Sequence, residues 1–421
     1  MSNQSKGFAV PFAIMSFLFF LLGYVTWINN MLVPFVKAKF SLPEMEAQLV
    51  SAAFFSAYIL SIPMGGIVKK IGYKSSVILG SIITGIGSIL FIFALGANVE
   101  IAYALILSSL FITAIGIVIL QVVVNPYVIA LGTPETSASR LTFATAINSA
   151  AAVLAPIIGN MLLSTDAEGK LLVTLENEQV AVIMYIVMAS ISILTGIAIL
   201  FMNLPEIGNE ADKSESKSTR SAWGYPHLIL GFLAIGMYMG LEVGVGNYFK
   251  SYTTYNVKDW NPAITGLILG LYPLGFFVGR LLGAGILKKF EASKVLLVNS
   301  LICVFLLVLF FLTKDSEFSI WPLIAQGLFL SIMWSVLFDL SMKDIPASES
   351  KLASGIICTG VVFVGIWMYI MAMVVDSTGT FGADGKIDPA TCNYGIAYAF
   401  FFFFYAYIIF FALKGAKIRK A

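Results

Sequence analysis

The sequence predicts an all-α membrane protein: twelve transmembrane helices arranged as two six-helix halves. Three observations carry this reading. Of the 421 residues, 59% are apolar and 11% charged, whereas an ordinary soluble domain is about 45–50% apolar and about 25% charged. Twelve stretches of this chain reach the length of apolar sequence that crosses a hydrocarbon layer of about 30 Å, roughly 20 residues of helix. A polar connection, 204–225, then divides those stretches six and six.

The first stretch, 8–33, is too long for a cleavable signal and has neither a clear charged flank nor a small-residue cleavage pattern after it. Stretches 46–68 and 75–96 follow, joined by a short turn rich in Gly and Lys. Stretches 100–130, 140–163 and 180–203 complete the first half. The connection LPEIGNEADKSESKSTRSAWGY is polar, charged and poor in aromatics, the composition of a flexible linker. Beyond it lie 226–249, 262–287, 295–313, 320–342, 352–375 and 394–413. The FFFFF run at 400–404 reads as lipid-facing bulk. The domain organisation expected is therefore 1–203, the linker 204–225, and 226–421. A weak internal repeat supports the division: GIVKKIGYKSSVIL at 66–79 resembles GILKKFEASKVLLV at 285–298, each between the second and third spans of its half. Duplicated six-span halves are an architecture of secondary transporters, whose substrate sites lie near midplane between repeats.

Orientation follows from the basic residues of the connections. With the N-terminus inside, the inner segments hold 17 of the 25 Lys and Arg and the outer loops seven. The positive-inside rule then places both termini in the cytoplasm. Several function classes lose their usual parts. A single histidine, His227, and three scattered cysteines, Cys303, Cys358 and Cys392, offer no zinc, haem or Ser-His-Asp constellation. No phosphate-cradling loop exists for ATP, and a net charge of +2 without a dense basic block argues against nucleic acid. No catalytic residue and no cofactor are expected, and the chain does not read as an enzyme.

Several stretches resemble one family of the major facilitator superfamily, the fucose–galactose–glucose:cation symporters. They are GYVTWINNMLVP (23–34), GGIVKKIGYKSSVILG (65–80), ILQVVVNPYV (119–128), RLTFATAINS (140–149), GLEVGVGNYF (240–249), GRLLG (279–283) and SIMWSVLFDLSMK (331–343). Gln121 and Glu242 look more like the glucose/galactose branch than the fucose branch. Asn30 stands where the family has a membrane-embedded acid, Lys69 where the wider superfamily's loop usually has Asp, and Asp339 where the family usually has a small polar residue. The resemblance implies the major facilitator fold in a bacterial inner membrane, a small sugar as substrate, a monomer in the bilayer, and import driven by sodium or a proton.

Beyond the first two residues of each span, only Glu242, Arg280 and Asp339 are charged, and such residues usually face a bundle interior because they are costly in lipid. Glu242 reads as a cation-coupling group or sugar acceptor, or as a carboxyl in a structural network. Arg280 and Asp339 lie at similar depth and are expected to pair, fixing a gate or the packing. Asp339 also reads as a second coupling site, being one residue from the repeat counterpart of Gln121. Amides donate and accept, as hexose hydroxyls do. Asn30, Gln121, Asn125, Asn148 and Asn247, with Glu242 and the rings of Trp27 and Trp334, are therefore the substrate-binding candidates. Asn125 precedes Pro126 and has helix-kink satisfaction as its other reading. Asn30, Gln121 and Glu242 could gather oxygens for sodium, a hard cation. Lys69 and Lys70 read as an inner latch or as simple positive-inside charge. Facilitated uniport and export of a sugar or other metabolite are the alternatives to coupled import.

Overall fold

The computed structural model describes residues 4–42, 44–162, 172, 174–206, 220–258, 260–261, 264–314, 316–382 and 387–419. It is helical almost throughout. Among the described residues, ten stretches are long and apolar enough to span a membrane. One of these, Leu49–Leu95, contains two spans, because the chain turns at Gly72 with φ 84° and ψ 172°. Only glycine adopts that backbone without a Cβ penalty. The helix Ser137–Leu162 completes the twelve.

In chain order the helices are α1 (Gln4–Phe40), α2 (Glu44–Ser56), α3 (Ser61–Leu95), α4 (Val99–Ala130), α5 (Ser137–Leu162), α6 (Leu175–Phe201), α7 (Pro226–Tyr255), α8 (Thr265–Ile286), α9 (Ala292–Leu312), α10 (Ile320–Leu330), α11 (Met333–Met342), α12 (Ala347–Thr359), α13 (Phe363–Asp376) and α14 (Phe400–Leu413). Four expected spans are broken helices. Span two is α2 and the start of α3 around the 3₁₀ turn Ala57–Leu60. Span ten is α10 and α11 around Ser331 and Ile332, span eleven is α12 and α13 around the 3₁₀ turn Gly360–Val362, and span twelve begins as the 3₁₀ turn Tyr394–Ala399. α1 runs past the apolar stretch to Phe40, since Val36, Lys37 and Ala38 continue a helix that hydropathy alone would end.

The chain forms two compact units, and they do not coincide with the sequence halves. The first contains residues 1–134, 147–222 and 344–359; the second contains 135–146, 223–343 and 360–421. Each sequence half thus lends a segment to the other's unit, and polar ties described below hold those segments. Linker residues 207–219 lie outside the described residues.

In the first unit α3 packs on α4 through small residues. A Cβ on Gly116 would collide with the Thr84 hydroxyl and the Gly80 carbonyl, and one on Gly87 with Thr113. Such close backbones are how helices gain contact where lipid supplies no hydrophobic drive. α4 bends at Pro126, whose missing N–H leaves the Val122 carbonyl without its helical donor. The Ser354 hydroxyl of α12 donates to that carbonyl at 2.7 Å, and Asn125 Nδ2 donates to the Gln121 carbonyl at 2.7 Å. The kink is thereby satisfied from a segment of the other sequence half. In the second unit an aromatic cluster of Tyr252, Phe310 and Tyr398, with centroids 5.2–6.0 Å apart, joins α7, α9 and the start of span twelve.

Candidate functional site

One group of polar residues in the first unit comes from α1, the 3₁₀ turn Ala57–Leu60, α4 and α5. Gln121 is half-buried, and its Oε1 accepts from the Tyr58 hydroxyl at 2.6 Å. Asn148 is also half-buried, and its Nδ2 donates to the Phe19 carbonyl at 3.0 Å. α1 approaches α5 so closely there that a Cβ on Gly23 would strike the Asn148 backbone. Trp27 is half-buried one turn further along α1. Asn125 is fully buried beside the Pro126 kink, where its amide serves the α4 backbone. The Asn30 side chain lies outside the described residues, and with it one of the three expected sodium ligands.

The second unit holds the membrane charges. Glu242 on α7 keeps 30% of its side chain exposed, and its Oε1 lies 3.8 Å from Nη2 of the buried Arg280 on α8. That separation makes an ion pair without a direct hydrogen bond. Tyr238 faces the same pair, and the Tyr272 hydroxyl donates to the Glu242 carbonyl at 3.1 Å. Arg280 lies 5.3 Å from the Phe276 ring centre. Its Nε donates to the Ser331 carbonyl at 2.9 Å and its Nη1 to the Thr145 carbonyl at 3.1 Å. Gly279 and Gly283 make this reach possible: a Cβ on either would overlap Ser331 or Ile332. Trp334 is buried against Tyr238 and Phe338, with ring centres 6.3 and 6.2 Å away. Asn247 is exposed.

The expected Arg280–Asp339 pair is corrected by this geometry. Arg280 is paired with Glu242, while Asp339 is half-buried with the Ser137 side chain and the charges of Lys343 and Arg140 as neighbours. Similar depth along two helices does not fix which way each side chain faces.

A second charged cluster sits in the first unit around the segment 344–359. Lys69 Nζ lies 2.5 Å from Glu349 Oε1, and Glu349 Oε2 accepts from the Ala222 backbone N–H at 2.9 Å. Lys351 pairs with Glu206 at 3.2 Å and lies 4.4 Å from the centre of the Tyr73 ring. Glu206 Oε1 in turn accepts from the Lys74 N–H at 3.1 Å, just past the Gly72 turn. Both described ends of the linker therefore take part. Lys70 is exposed. Glu206, Glu349 and Lys351 were not singled out by the sequence, since their partners lie 127 to 280 residues away. Tyr58 and Thr145 were missed for the same reason. Among the described residues, no group of three His, Cys, Asp or Glu side chains converges as metal ligands would.

The profile of the Major Facilitator Superfamily matches residues 15–368. The chain belongs to that superfamily. It is 33% identical over 428 residues to the glucose/galactose transporter of Brucella abortus biovar 1 (strain 9-941), covering 99% of this chain and 96% of that protein. It is 27% identical over 416 residues to the L-fucose-proton symporter of Escherichia coli (strain K12), covering 93% and 92% respectively. The crystal structure of the superfamily transporter FucP in its outward conformation superposes with a TM-score of 0.80 at 24% identity, over 96% of this chain and 98% of FucP. The fold expected from the sequence is thus the fold observed, and the protein is an integral membrane transporter.

Proposed function

We propose that the protein imports a hexose, driven by a cation moving down its gradient, through alternating exposure of a midplane site to the two sides of the bacterial cytoplasmic membrane. Both termini lie in the cytoplasm in this reading, and the transporter works as a monomer. The observation that carries it is the Glu242–Arg280 pair: a partly exposed carboxylate inside a span, 3.8 Å from its counter-charge. Intramembrane ionisable groups of this kind mark substrate or ion pathways. The near full-length similarity to a protein named as a glucose/galactose transporter supports the sugar.

Gln121 and Asn148 supply amides to the sugar hydroxyls, with the half-buried Trp27 available for an apolar face. Glu242 is the anion that the coupling cation must neutralise. Sodium is the cation we assign, because Asn30 stands where the family has a membrane-embedded acid, and hard cations favour amide oxygens of this kind. The test is uptake of labelled hexoses into proteoliposomes at fixed pH, with sodium exchanged for choline. Accumulation that stops in choline supports the assignment. Accumulation that persists in choline and collapses with a protonophore replaces sodium by a proton. Equilibration without accumulation under either gradient would make the protein a uniporter, and uphill efflux an exporter.

A further inference from the structure

Arg280 is shared among three helices besides its own. From α8 it reaches the Glu242 carboxylate on α7, the Ser331 carbonyl at the break between α10 and α11, and the Thr145 carbonyl on α5. Thr145 belongs to 135–146, the segment that the first sequence half lends to the second unit. Two neutral contacts also hold that segment: Ser139 Oγ donates to the Ala284 carbonyl at 2.6 Å, and the Thr145 and Ser335 hydroxyls lie 3.0 Å apart. Arg140 adds a charge that faces Asp339. Arg280 differs from these in touching the proposed coupling carboxylate as well.

A guanidinium carries its N–H donors in one rigid plane, so it cannot tighten on each acceptor independently. A shift toward the carboxylate loosens the bonds to the carbonyls, and a shift away strengthens them. The side chain is only 7% exposed, so water makes little substitute for a lost acceptor. The groups facing the Glu242 carboxylate are Arg280, Tyr238 and Tyr272. Of these, Arg280 alone carries a fixed charge. A cation that neutralises Glu242 removes the pull on Arg280 and leaves the guanidinium to the Ser331 and Thr145 carbonyls. When the cation departs, the guanidinium moves toward the carboxylate at their expense.

We infer that Arg280 is a positioning residue that converts cation occupancy at Glu242 into the strength with which residues 135–146 are held. The inference rests on the proposed role of Glu242, and its test separates the two. Ala138 is buried within that segment, and Ala138→Cys serves as a reporter of its release; the native cysteines are all buried and give little background. Maleimide labelling of the reconstituted protein is measured with sodium, with choline, and across pH in choline. With Arg280 present, the cation that drives uptake slows labelling by about tenfold, the low end for one hydrogen bond to a charged group. Arg280→Lys keeps the charge but cannot span both carbonyls; cation-dependent sugar affinity persists while the labelling response is lost. Glu242→Gln labels at the slow rate whatever the cation, a result that needs no Arg280 variant to fold. A full labelling response in Arg280→Lys, or a cation-responsive Glu242→Gln that no longer accumulates sugar, would overturn the inference and leave the proposed function standing. Accumulation that survives Glu242→Gln would overturn both.

Discussion

Among the ties of the segment 344–359 is one carboxylate, Glu349, and removing it has a size that the structure sets. Glu349 is about one-tenth exposed and accepts two bonds of unequal worth. Its partner Lys69 is 40% exposed, so that ion pair is screened and contributes about 0.2–1 kcal/mol. The Ala222 N–H, bound at 2.9 Å, belongs to a fully buried residue. A hydrogen bond from such a donor to a charged acceptor contributes about 1.5–3 kcal/mol, and losing it strands the N–H. Glu349→Ala therefore shifts the equilibrium toward release by about 2–4 kcal/mol, or about 30- to 1,000-fold. Lys69→Ala removes only the screened pair and shifts it by no more than about fivefold. Glu349→Gln keeps an acceptor for Ala222 and falls between them. The assay is the rate at which a membrane-permeant maleimide labels Ala353→Cys, a position that is wholly buried. Should Lys69→Ala accelerate labelling as much as Glu349→Ala, the backbone of Ala222 is not the principal anchor and the reasoning fails.

Three further outcomes follow from contacts already described. Gln121→Ala should weaken hexose binding by about 1–3 kcal/mol, the cost of an unpaired hydroxyl; an unchanged isotherm for the folded variant removes Gln121 from the site. Ser354→Ala leaves the Val122 carbonyl at the Pro126 kink without its donor and should lower the melting temperature, whereas Ser354→Thr, which restores a hydroxyl, should recover part of the loss. The Ser293 hydroxyl and then Lys294 hold the exposed Glu291 carboxyl below its ordinary value. Its contribution is present above the unfolded value of about 4.3 and is lost as pH falls through the lowered one. The difference in thermal stability between Glu291→Gln and the native chain should accordingly vanish in acid, and one that grows there would contradict the pairing.

The spans were legible because the bilayer demands long apolar runs, and a 20-residue run is hard to mistake. Glu242, Arg280 and Gln121 stood out because polar groups in such runs are costly. Partner choice was not legible in the same way. Arg280 was expected to meet Asp339 because both lie at similar depth, but Gly279 and Gly283 draw α8 onto the α10–α11 break and direct the guanidinium to Ser331 and Thr145. Asn125 had two readings in the sequence; its burial at the kink shows what its amide does in the fold. The Glu349 anchor was out of reach altogether, since its acid looks like any charge before a span. Only the folded chain brings it to Lys69, 280 positions earlier.

The exchange of segments between the two sequence halves bears on how the protein is made. The first unit draws on residues up to 359 and the second on residues from 135. Synthesis runs from the N-terminus, and domains generally fold as units as they emerge. Here the ribosome must deliver more than four-fifths of the chain before the first unit has all its parts. Until then Lys69, the Val122 carbonyl and the small surface at Gly65 await Glu349, Ser354 and Gly355. An arrest at the linker would leave a six-span fragment with a buried carbonyl and a packing face uncovered. Such a fragment is a natural substrate for quality control, so a stalled or truncated product is recognisable by what its missing partner should have covered.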